Sequence, residues 1–183
     1  MEAQRIGFGL YSSYNLTLTN LMPEDLDFGT VVKGSGLVSI SLADNEVVPI
    51  EIEGVEYLDV TVTLTAPAGN VLLLEGDGAY LNDPDRSMPV TIKMAYYNGG
   101  MPNIPVDTAK AQAIEVTGDM ITFAIRRRPG GPPGPPPVPP HAGYVPPSAV
   151  AYLFIYGSLN VGDVNAGPYK GTIDINVEYS TYD

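Results

Sequence analysis

A chain of 183 residues, 44% of them apolar, is long enough for one domain with a sizeable core and shows no second domain. A formal net charge of -12 argues against nucleic acid as a partner, since a phosphate binder needs a basic stripe, and against docking to anionic lipid. Cysteine is absent, which excludes disulfides and thiolate metal sites.

Charged residues make up only 16% of the chain, and Thr, Ser, Asn, Gly and Tyr take their place, a β-rich and extracellular-looking surface. No apolar run approaches the roughly 18 residues of a membrane-spanning helix. Residues 1–20 lack the basic end and continuous apolar block of a signal peptide. The expectation is an exported protein whose signal has been removed.

The first twenty residues alternate over an unusual length. Ile6, Phe8, Leu10, Tyr14, Leu16 and Leu18 all fall on even positions, with Gly7, Gly9, Ser13, Asn15, Thr17 and Thr19 between them. A period of two sorts apolar side chains onto one face of a strand, and a strand averages about 5–6 residues. The pattern therefore divides into two segments, Ile6–Leu10 and Tyr14–Leu18, joined by Tyr11, Ser12 and Ser13. The second belongs to the chain's own sheet, and the first is a strand offered to a neighbour.

After a turn at Pro23, Leu26 and Phe28 resume the inward alternation, and Gly29 permits a bend. Val38, Ile40 and Leu42 alternate, then Val48, Ile50 and Ile52, where Pro49 favours an edge strand or a strand start. Leu58, Val60, Val62 and Leu64 form the clearest half-buried strand, followed by a turn at 66–70 and a short strand at 71–74. Residues 76–87 read as a polar loop, and Met88, Val90, Ile92, Met94 and Tyr96 as the next strand. Residues 101–119 hold either one helical turn or a strand at Ile114 and Val116. Strands follow at 120–125, at 150–156 with both faces apolar, and at Ile173, Ile175, Val177 and Tyr179.

Eight to ten strands without an amphipathic helix predict an all-β, immunoglobulin-like β-sandwich, with a closed barrel as the competing architecture. Residues 1–13 form the leading strand and joint, and 14–183 the domain, interrupted by a proline-rich insertion at 126–148. That insertion carries ten of the chain's 18 prolines, and proline cannot donate to a strand ladder. It reads either as a polyproline II arm that lies on a neighbouring subunit or a proline-recognising partner, or as a long loop without a partner. The arginines 126–128 at its start fit an acidic neighbour or a solvated cluster equally well.

Catalytic groups are missing. The one histidine, His141, lies inside the proline segment; no nucleophile triad, phosphate loop or cysteine nucleophile exists, so the expectation is a non-enzyme without cofactor. Glu75, Asp77, Asp83 and Asp85 with Asn82 supply oxygens calcium could use, but the spacing departs from the EF-hand loop, and a solvated acidic loop explains it. Asn15-Leu16-Thr17 matches the glycosylation triplet inside an expected strand, where chance explains it.

Four stretches, NLTLTNLMPEDLDFGTVV, VSISL, LNVGDVNAGPYKG and TIDINVEY, give the chain a resemblance to the spore coat protein U-like family and the archaic chaperone-usher pilins. The family's Leu-x-Phe-Gly turn is matched by Leu26, Asp27, Phe28 and Gly29. Its late Gly-x-Tyr-x-Gly is matched by Gly167, Tyr169 and Gly171, and its terminal tyrosine by Tyr179. The missing cysteines and the insertion at 126–148 depart from the family pattern.

The resemblance implies a secreted pilus subunit that polymerises by donor-strand exchange, held before assembly by a periplasmic chaperone and an usher. Ile6, Phe8 and Leu10 would be the donor side chains; Ile173, Ile175, Val177 and Tyr179 would line the acceptor groove. Burying the three donor residues would contribute about 1.5–3 kcal/mol each before ordering costs. The alternatives are that Ile6–Leu10 completes its own subunit, or that the chain is a monomeric or tip-located, carbohydrate- or surface-binding adhesin gripping its ligand with some of its 12 tyrosines.

Overall fold

A computed structural model describes residues 14–22, 25–100, 103–127 and 145–180. Eleven strands and one short helix are found among them: β1 Thr17–Asn20, β2 Gly36–Ile40, β3 Val48–Val55, β4 Asp59–Thr65, β5 Val71–Leu74, β6 Ser87–Tyr97, α1 Val106–Ala111, β7 Ile114–Glu115, β8 Met120–Ala124, β9 Ser148–Val161, β10 Tyr169–Lys170 and β11 Asp174–Tyr179. All pairings are antiparallel. The large sheet runs β1-β3-β9-β6-β5-β10, with β2 also on β9 and β7 also on β6; the small sheet runs β11-β4-β8. Two separate sheets, each with open edges among the described residues, replace the closed barrel considered above.

β9 is the centre. Its 14 residues are buried on both faces from Ala151 to Gly157, as its continuous apolar run requires of a strand covered on both sides. On the inner face, Ala151, Leu153 and Ile155 meet Ile50 and Ile52 of β3, Met94 of β6, and Val60, Val62 and Leu64 of β4 in one cluster spanning both sheets. Tyr96 of β6 stacks on Phe123 of β8 with ring centroids 4.4 Å apart, joining the sheets at that side. On the outer face, Tyr152, Phe154 and Tyr156 are covered by Ile104, Val106 and Ala109 around α1 and by Val47 and Leu42 from the β2–β3 loop. Burial there pushes the Tyr156 phenol up to about 12, with the Glu115 carboxylate adding to the shift.

β2 and β3 occupy one line along β9. Ile40 pairs with Gly157 and Val48 with Ile155, so residues 41–47 are extruded from a single strand position. The alternation expected through Leu42 therefore stops at Ile40, and Leu42 instead packs on the outer face. Leu26 and Phe28 form no strand, yet both pack partly buried against the core clusters, so the inward alternation marks packing without pairing.

Pro49 sits second in β3, at the strand start and not on an edge strand, and is tolerated because its missing N–H points away from β9. Its carbonyl, on that same side, accepts from the Leu21 N–H at 3.0 Å. Residues 101–119 hold both alternatives at once, helix α1 and strand β7.

Candidate interaction groove

At one edge the two sheets face each other across an open seam between β1 and β11. Leu18 pairs with Ile52 and so shares its side of the sheet, the inner one. Ile52 is 0% exposed, whereas Leu18, on the outermost strand of that sheet, remains 40% exposed. β11 gives the complementary wall. Ile175, Val177 and Tyr179 point inward and pack on the core, yet each is only half-buried, while Val60 and Val62 one strand away are fully buried. Ile173 immediately precedes β11 and behaves in the same way. Among the described residues, β11 has β4 as its one strand partner and β1 has β3, so both strands present free backbone edges to the seam.

The opposite side is bridged at one end. Besides the Tyr96–Phe123 stack, the Asn98 side-chain amide donates to the Ala124 carbonyl at 2.8 Å, and the Arg127 N–H donates to the Asn98 carbonyl at 2.8 Å.

One end of the seam is tied by Tyr179. Its hydroxyl accepts from the Val55 N–H at 2.9 Å and donates to the Asn15 carbonyl at 3.3 Å, linking the C-terminal strand, β3 and the segment that leads into β1. Tyr14 closes the cluster with Val55, Leu58 and Tyr179. Gly54 leaves room for these side chains: a Cβ would lie 2.7 Å from the Tyr179 hydroxyl, 2.9 Å from Leu16 and 2.4 Å from Ile125, which would have to shift. Burial raises the Tyr179 phenol above its ordinary range, partly offset by the Val55 hydrogen bond. Tyr179→Phe is expected to leave the Val55 N–H without its acceptor and to lower stability by about 1–2 kcal/mol. Urea unfolding checks this; an unchanged midpoint would show that the hydroxyl carries no weight.

The four acceptor residues expected from sequence thus stand together on one open edge. The donor residues Ile6, Phe8 and Leu10 lie outside the described residues, as does His141. Leu16, Leu18 and Gly54 were not among the expected groove residues. An isolated glycine in the strand pattern IEGVEY was the available signal for close approach.

At the same pole the proline-rich insertion is stapled at both ends to one residue. The Glu56 carboxylate pairs with the Arg126 guanidinium, and the Glu56 N–H donates to the Pro147 carbonyl at 2.9 Å. Arg126 also lies over the Tyr57 ring, 5.8 Å from its centroid. The acidic loop uses its side chains locally: Asp77 accepts from the Ala79 N–H and Asp83 from the Asp85 N–H. Among the described residues no group of three His, Cys, Asp or Glu could hold a metal ion, and no helix is long and apolar enough to cross a membrane. Comparison of the chain with protein-family models, with curated proteins and with solved structures finds no match.

Proposed function

We propose that the chain is the structural subunit of an extracellular filament, an immunoglobulin-like sandwich whose seam between β1 and β11 is filled by the leading strand of another copy. The observation that carries this reading is the open seam itself, with inward-pointing Leu18, Ile175 and Val177 left partly exposed between two free strand edges. A strand added there supplies both the missing ladder hydrogen bonds and an apolar face. Residues 6–10, with apolar side chains on one face and glycines on the other, have the pattern such a slot takes.

Polarity decides the kind of assembly. β11 runs from Asp174 toward Tyr179, and the leader joins the body at Tyr14, beside Tyr179. A subunit's own leader laid along β11 would run parallel to it. A leader from another copy running antiparallel brings the donor's Tyr179 pole to the far end of the acceptor's seam, a heterologous contact that repeats head to tail. Reciprocal parallel insertion would bring like poles together and close a dimer. The likeness to pilins noted in the sequence, with its chaperone and usher, fits the first arrangement.

Electron micrographs of the purified chain are expected to show filaments of uniform width. A monodisperse monomer by ultracentrifugation would overturn the proposal and favour the adhesin reading.

A further inference from the structure

The end of the large sheet farthest from the Tyr179 pole holds a cavity of about 550 Å3. This is within the roughly 300–1,000 Å3 of ligand pockets. Here the inner face of β9 and β6 extends past the small sheet, and Phe28, Val31, Met88, Leu159, Val164 and Tyr169 contribute an apolar lining with two aromatic rings. The surroundings are acidic on balance. Asp27 stands at the rim, Asp163 pairs with Lys33 at 2.5 Å, and Asp83 and Asp85 lie beside Tyr169, with Arg86 on Asp83 at 3.7 Å. Four carboxylates stand against two cations.

We infer that this cavity is the socket for the proline-rich segment, residues 128–144, of a second copy of the chain. Proline-rich segments dock on aromatic-lined apolar surfaces, and basic residues beside the prolines pair with acidic rims. Here Arg127 and Arg128 directly precede the prolines.

The chain's own segment is too short for the far wall of the cavity. Its stem is stapled to Glu56 at the Tyr179 pole, and the 20 residues from 128 to 147 must go out and return. Ten residues reach at most about 33–36 Å even fully extended. Leu159 and Val161 in the cavity wall lie 11 and 13 residues beyond Ser148 along β9, about 36 and 43 Å at the strand rise. Head-to-tail stacking, on which this inference rests, places the stapled pole of one copy against the cavity end of the next.

The chain has no cysteine, so single-cysteine variants of the full chain test the contact directly. Val138→Cys is mixed with Ala166→Cys, an exposed position on the cavity rim, or with Glu46→Cys, an exposed position on the loop covering the opposite face of the large sheet. A short bis-maleimide is then added. A contact held in the assembly raises the local concentration, so the 138–166 product is expected to form at least about tenfold faster than the 138–46 product.

Equal rates would overturn the inference. So would a cross-link from Phe8→Cys to Ala166→Cys in place of the 138–166 product, which would give the cavity to the leader. Micrographs of the same samples separate the two proposals. Filaments without the selective cross-link sink the socket alone, and a selective cross-link without filaments supports the socket while sinking polymerisation.

Discussion

Removing residues 1–12 is expected to abolish filaments while Tyr14, Leu16 and β1 remain in place, giving a chain that stays monomeric or folds poorly. The truncation leaves the seam as it is, with free edges on β1 and β11 and partly exposed Leu18, Ile175 and Val177. An uncovered apolar edge of this kind is aggregation-prone and weakens the native state. The synthetic leader peptide added in trans should restore what was lost. It raises the thermal midpoint, because a ligand that binds only the folded state stabilises it by mass action. It should not restore filaments, since a detached strand cannot link two bodies. Filaments of normal appearance from the truncated chain would exclude exchange through this strand. A truncated chain whose midpoint ignores the peptide would place the acceptor elsewhere.

Gly157→Ala is expected to cost about 3 kcal/mol, the upper range for overpacking, because the added atom meets backbone. Its Cβ would lie 2.1 Å from the Thr91 carbonyl oxygen and 3.2 Å from the Ile92 Cα. No side-chain rotation relieves such a clash. The β6–β9 ladder, which with β3–β9 is one of the two longest in the large sheet, must open at the point where β2 ends opposite Gly157. The urea midpoint should fall markedly, with loss of Tyr156 burial seen in near-ultraviolet circular dichroism. An unchanged midpoint would mean that the strands part there without penalty. Glycine inside a strand where another backbone passes closely is the general form of this constraint.

The inward face of β11 was legible because the strand keeps a strict period of two. Ile175, Val177 and Tyr179 point one way and Asp174, Asn176 and Glu178 the other, while the idea that they line a groove came from the likeness to pilins. Leu18 was legible as inward-facing, though not as half-exposed. The hydroxyl bridge of Tyr179 and the double staple on Glu56 were not readable, since each joins residues far apart in the chain. Val55 and Tyr179 are separated by 124 positions, and Arg126 and Glu56 by 70.

The sequence by itself determined that this is a β protein, which side of each regular strand faces inward, and that β9 is covered on both faces. It could do so because side-chain periodicity acts within a few residues. Only the tertiary structure decided which strands are neighbours, that β2 and β3 share one line on β9, and that, among the described residues, β1 and β11 are left as edge strands. Those outcomes depend on which backbone edges meet, and a pattern of period two says which face a residue takes but not which strand lies beside it.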